Sequence, residues 1–185
     1  MVLTALREAT TSLHREVEGR IDFLSLGLTI PRYIRILQAF YAFFEPMEMQ
    51  MDTCCPAEYR SMWQGRHRAH RLIDDLVAMH SGPVDAASGI FEIPDVSSTG
   101  HWLGALYVLE GSTLGGRVIS RHLEKHFGWL SGRGYSFFLG HGTATGERWR
   151  EVVKTLEANS GANSQIVSGA RQTFHQMNRC LSSLL

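Results

Sequence analysis

No stretch of this sequence stays apolar for the roughly 18 residues that a membrane-crossing helix needs, so a protein that spans no membrane is expected. The opening "MVLTALREATTSLHREVEGR" carries charges every few residues and lacks the apolar centre of a secretion signal. Cysteine is scarce. Cys54, Cys55 and Cys180 are the only three, neighbours such as Cys54 and Cys55 rarely bond to each other, and no Cys-x-x-Cys pair occurs. A reducing, cytoplasmic compartment is the simplest expectation. An excess of one charge is also missing. Eighteen Lys and Arg face eighteen Asp and Glu, so no global field draws the chain to nucleic acid or to a membrane surface. No Gly-x-Gly-x-x-Gly follows a strand pattern, and there is no P-loop and no Gly-x-Ser-x-Gly. No Glu-x-x-His occurs, which argues against a carboxylate-bridged di-iron bundle.

Strand-like alternation and internal repeats are absent too. What is present is helical. The chain has 185 residues, 44% hydrophobic and 19% charged, which suits one globular domain over 1–185. Leu3, Leu6, Leu13 and Val17 follow a helical period and predict a first helix over 3–18, with Thr4 as cap and Gly19 as stop. Pro31 suits the first turn of a second helix over 31–52, where Pro46 predicts a kink or an early end. A third helix is expected over 58–80. Ser98 or Thr99 can cap a long helix from about 100 to 127. Residues 128–144 are glycine-rich and expected to be irregular, "YSFF" within them included, and two last helices fall near 146–158 and 164–184. The expected fold class is an all-α, single-domain bundle of six or more helices.

Three places carry candidate chemistry. His14 lies one position from the apolar stripe of the first helix, with Glu18 one turn on, on the same face. A carboxylate there can take one imidazole N–H, orient the ring and raise its basicity as a metal ligand. A surface His–Glu pair is the plainer alternative. Arg7, two turns earlier, shares that face and could meet an anionic group of a ligand at His14. The second place is "YVLEGSTLGGRV", where Gly111, Gly115 and Gly116 interrupt a helical pattern. Glycine inside a helix costs about 1 kcal/mol against alanine. Gly111 and Gly115 share a face and Gly116 widens it, so something flat can approach the backbone there. Tight helix packing is one alternative. A helix end at Gly111 is the other, and the periodic residues on both sides, Leu106 and Leu109 before and Leu114 and Val118 after, argue against it. The third place is "RHRAHR", residues 66–71, a basic cluster with a solvated face as its plainest reading. His122 and His126 have metal-ligand spacing but no third ligand nearby.

Taken together, "LREATTSLHREVE" and "YVLEGSTLGGRV" resemble the proximal and distal helices of the heme oxygenase family, in its bacterial form. The resemblance runs over essentially the whole chain. It implies a helical fold with heme held between a proximal helix and a kinked distal helix, and cleavage of heme by O₂ and electrons to biliverdin, CO and free iron. By the same resemblance His14 is the iron ligand and Glu18 its orienting partner, while Gly111 and Gly115 contact the distal face, with Gly116 adjacent. Arg7 matches a propionate contact, Phe174 an aromatic near the heme edge, and Arg148 or Arg150 a further propionate contact. Ser112 stands where animal members carry an aspartate that organises distal water. A hydroxyl donates and accepts but holds no charge, which leaves its part in proton delivery open. The resemblance further implies an electron donor such as a ferredoxin or a flavin reductase, with His67–Arg71 as one docking patch, and a bacteriophytochrome as a biliverdin acceptor. The alternative is a heme-binding or heme-sensing protein of the same fold without turnover. A thiaminase-like enzyme would instead need a cysteine in its pocket.

Overall fold

The computed structural model describes residues 1–83, 92–129 and 133–185. Among them are eight α-helices: α1 (Val2–Ile21), α2 (Ile30–Thr53), α3 (Arg60–Trp63), α4 (Ala69–Ala78), α5 (Thr99–Gly111), α6 (Gly116–Phe127), α7 (Thr145–Ala158) and α8 (Asn163–Leu184). No strand occurs among the described residues, so the fold is all-α, and "YSFF" sits at a short 3₁₀ turn, Ser136–Leu139. No described helix is long and apolar enough to cross a membrane.

α1 buries Val2, Leu6, Thr10, Leu13, Val17 and Ile21, one stripe laid against α8. Its start differs from the expected Thr4 cap. The Glu157 carboxylate of α7 accepts the N–H groups of Val2 and Leu3, each at 3.0 Å. A side chain from a distant helix thus satisfies donors that a local cap would otherwise serve. The helix also passes Gly19 and stops at Asp22, whose left-handed backbone returns its N–H to the Glu18 carbonyl.

α2 begins with Pro31 in its first turn, as expected, and the structure adds a cap, the Thr29 hydroxyl accepting from the Arg32 N–H. It does not end at Pro46. Phe40, Phe43 and Phe44 before the proline and Met47 and Met51 after it are all buried. That packing outweighs the roughly 3 kcal/mol an interior proline costs.

The single helix expected over 58–80 is broken. Residues 64–68 turn inward around Gly65 at φ 70°, and the buried Glu48 of α2 accepts the N–H groups of Arg68 (2.8 Å) and Ala69 (3.1 Å), which starts α4. At the other end of α4 the Asp75 carboxylate accepts the N–H groups of Ser136 and Phe137. Burial raises the pKa of both carboxyls, and these hydrogen bonds oppose the rise.

α5 is capped by Ser98, as the sequence predicts, and is buried on nearly every side. It crosses α8 backbone to backbone. A Cβ at Gly104 would overlap the Ile166 carbonyl, and one at Gly169 would overlap His101. Tight helix packing, weighed above for Gly111 and Gly115, is the work of these other glycines.

Candidate functional site

A cavity of about 460 Å³ opens between α1 and the α5–α6 junction. That volume falls in the range of small-molecule and cofactor sites, about 300–1,000 Å³. Phe23, Phe40, Phe44, Phe137 and Phe138 line one part of it, and Tyr107, Trp149 and Phe174 line others. The aromatic residues interlock edge to face, Phe23 on Phe138 at 4.8 Å and Phe44 on Phe137 at 4.8 Å. Such a wall is apolar and rigid. Among the described lining residues Arg7 is the only Arg or Lys.

α1 supplies the proximal wall. Leu13 and Val17 anchor the helix, which leaves His14 at the cavity edge, 57% exposed. Its Nδ1 faces the Glu18 carboxylate at 3.4 Å, and the Phe174 ring meets it edge-on at 5.9 Å. With Nδ1 turned to a carboxylate, Nε2 carries the lone pair that can ligate a metal.

The distal wall is the α5–α6 junction. The helix expected over 100–127 is two helices, and α5 does end at Gly111. Side chains make the break. Ser112 Oγ donates to the Leu109 carbonyl at 2.6 Å and Thr113 Oγ1 to the Glu110 carbonyl at 2.6 Å. Thr113 N–H turns to the Glu110 carbonyl and Leu114 N–H to that of Gly111, in tight three-residue steps. The apolar period continues past the break, but Leu114 is 48% and Val118 59% exposed, so it no longer marks a buried stripe.

Behind the junction lies a buried charge network. Arg66 pairs with the Glu110 carboxylate, donates to Glu151 at 2.5 Å and donates to the Met62 carbonyl at 2.6 Å. His141 Nε2 lies 3.1 Å from the other Glu110 oxygen. Burial pushes the Glu110 carboxyl up, but the His141 hydrogen bond and the Arg66 charge outweigh it and hold the carboxyl below its ordinary range. Arg68 is 2% exposed. Its Nη2 donates to the Leu109 carbonyl at 2.7 Å and to Ser112 Oγ at 2.8 Å. Arg71 donates to the Gly140 carbonyl and His67 meets Asp52 at 2.8 Å.

The profile of the heme oxygenase family matches residues 1–183. The chain belongs to the heme oxygenase family. A heme oxygenase of Xanthomonas campestris pv. campestris (strain 8004) is 32% identical over 169 residues, 90% of this chain and 94% of that protein. The fold is also that of the heme oxygenase of Neisseria meningitidis, solved with NO and CO bound, at TM-score 0.82 and 22% identity over 100% of this chain and 92% of that one. The heme oxygenase of Leptospira interrogans superposes at TM-score 0.77 and 22% identity, over 99% of each chain.

Against the expectations for a heme oxygenase, the structure sorts the candidate residues. Arg7, His14, Glu18, Gly111, Ser112, Gly115 and Phe174 all border the one cavity. Gly116 does not. A Cβ there would overlap the Phe138 carbonyl, so its missing side chain admits protein backbone rather than a ligand. Arg150 is exposed, is not among the lining residues, and bonds within α7 to the Gly146 carbonyl. Arg148 is committed to the Gly65 carbonyl at 2.6 Å and to His141. The docking patch expected at His67–Arg71 is not a solvated basic face. Arg68 is buried, and Arg71 and His67 hold protein partners. His122 and His126 stack at 5.3 Å outside the cavity lining, with His126 Nε2 bonded to the Leu28 carbonyl at 2.8 Å. Cys54, Cys55 and Cys180 are not among the lining residues. Sequence reasoning missed Glu110 and His141, and it read Arg66 and Arg68 as part of a solvated basic cluster. The "E" of "LEGS" next to Gly111 hinted at a buried network, as a carboxylate on an otherwise apolar helix.

Proposed function

We propose that this protein is the enzyme its family name describes, cleaving heme with O₂ and electrons to biliverdin, CO and free iron. The carrying observation is one juxtaposition. A histidine with Nδ1 turned to a carboxylate borders the same cavity as a helix break whose Gly111 and Gly115 present backbone and no side chain. A flat, largely apolar molecule with a metal centre and anionic groups suits such a cavity. Bound heme supplies the iron that activates O₂ and the porphyrin that is opened.

The chain's own residues divide the work. His14 Nε2 ligates the iron, and Glu18 holds the Nδ1 proton and so fixes the tautomer. Arg7 meets a propionate at the cavity rim. Gly111 and Gly115 let backbone come close to the porphyrin face. The phenylalanine wall excludes water from its edge, and Phe174 buttresses the imidazole. Ser112 offers the polar group nearest the glycines. Electrons come from a ferredoxin or flavin reductase in the cytoplasm, and the chain 1–185 works as one domain.

Hemin titration tests this. The wild type should develop a Soret band at one equivalent, and His14→Ala should lose it or shift it strongly. Reductant and air should then bleach the band as bile-pigment absorption rises. A wild type that binds hemin no better than an unrelated helical protein would overturn the proposal, and binding without bleaching would make it a heme carrier or sensor.

A further inference from the structure

Two arginines are buried behind the distal wall, and among the described residues only one has a carboxylate in direct contact with its guanidinium. Arg66 pairs with Glu110 and Glu151. The Arg68 guanidinium has no carboxylate oxygen within 4.0 Å among the described residues, and its Nε, fully buried, has no hydrogen-bond partner. Burial lowers its pKa to about 10, which leaves it charged at neutral pH. Glu110 and Glu48 offset part of the burial cost from a distance, but a buried charge without a direct partner is expensive, and an apolar residue of similar size commonly packs better. The guanidinium lies over the Phe137 ring at 4.6 Å and near the Phe44 ring at 5.3 Å. Both rings border the cavity, as does Ser112.

The Leu109 carbonyl explains the arrangement. In an unbroken helix it would accept from the Thr113 N–H, but that N–H turns to Glu110. The carbonyl instead accepts twice, from Ser112 Oγ and from Arg68 Nη2. Ser112 can therefore swing its hydrogen into the cavity without orphaning a buried carbonyl, since Arg68 still satisfies it. The same Nη2 donates into Ser112 Oγ, which polarises the hydroxyl as a donor.

Resting on the heme reading above, we propose that Arg68 is a positioning residue for the reaction: it frees and polarises the Ser112 hydroxyl, and its fixed charge makes the glycine side of the cavity favour small anionic ligands. A preorganised charge behind an apolar wall acts in a low dielectric, where it is worth far more than in water. Proton delivery on the distal side then runs through a hydroxyl backed by a cation rather than through a carboxylate.

The test uses the hemin-loaded full chain and two probes, azide on the ferric protein and CO on the ferrous protein. Arg68→Met should weaken azide binding about tenfold, and Ser112→Ala several-fold, while CO affinity stays within about twofold. Arg68→Lys, which keeps the charge, should recover most of the azide affinity. A merely structural role would move both probes together. Azide affinity within about twofold of wild type in Ser112→Ala, and in whichever Arg68 variant folds and binds hemin, overturns the inference. A wild type that fails to take up hemin overturns the heme reading instead.

Discussion

The two walls of the cavity are built in opposite ways. The proximal wall is one amphipathic helix whose proposed ligating pair, His14 and Glu18, is exposed, local and one turn apart. The distal wall is a break between two helices, held from behind by Arg66, Arg68, Glu110, His141 and Ser112, which come from three separate parts of the chain. The proximal side chains stand largely outside the core. The distal wall is part of the core. Substitutions should therefore separate ligation from stability on one side and join them on the other.

Gly116→Ala should have the largest effect. Its Cβ would overlap backbone at the Phe138 carbonyl, and backbone cannot step aside as a flexible side chain can. We expect a loss of about 3 kcal/mol or more, read as the shift of the urea-unfolding midpoint. A variant as stable as wild type would show that the junction is more plastic than drawn.

Glu110→Gln comes next. It leaves Arg66 with Glu151 and the Met62 carbonyl but removes the fully buried half of its pairing, at a cost of about 2–3 kcal/mol. The variant should also change the pH profile. Glu110 has a folded-state pKa below its ordinary 4.5. Its contribution is therefore present above that value and lost as the pH falls through the folded pKa. Glu48 and Asp75, raised by burial, have the opposite sign: their contribution is present at low pH and lost as the pH rises through their folded pKa values. Stability measured from pH 6 down to pH 3 should fall less steeply in Glu110→Gln. An unchanged acid slope would assign the acid loss to other carboxylates.

His14→Ala should be small in stability and large in hemin spectroscopy. Removing a half-exposed side chain leaves the apo protein within about 0.5 kcal/mol of wild type. A loss of folding along with the Soret band would erase the contrast between the walls.

That contrast also explains what could be read in the sequence. The first helix, the Ser98 cap, the Pro31 start of the second helix, the last two helices and the histidine with its carboxylate are local patterns, visible at i, i+3 and i+4. The α5–α6 break was not legible, because apolar period runs through it at Leu114 and Val118 while the side chains that end α5 act on carbonyls just behind them. "RHRAHR" read as a solvated basic face for a similar reason. Nothing in six residues tells that Glu48 will cap Arg68 from one helix away, or that Glu110 will take Arg66 into the core. Arg150 rests on the resemblance and Gly116 on adjacency to Gly115, and neither ground fixes which way a side chain or a missing one faces.

Gly115→Ala should be the smallest perturbation and the sharpest comparison with Gly116. A Cβ at Gly115 meets nothing within 4 Å, and its φ of −77° and ψ of −18° are helical, so alanine fits without strain. Gly-to-Ala at a compatible position stabilises by about 0.4–1 kcal/mol through the unfolded chain. The thermal midpoint should hold or rise slightly. The new methyl nevertheless stands at a residue that borders the cavity, so hemin affinity should fall even as stability does not. Two adjacent glycines would then fail in opposite ways, one because it meets protein and the other because it must meet a ligand. If Gly115→Ala leaves hemin binding untouched, the open space at this position is solvent, and Gly111 alone brings backbone toward the porphyrin face.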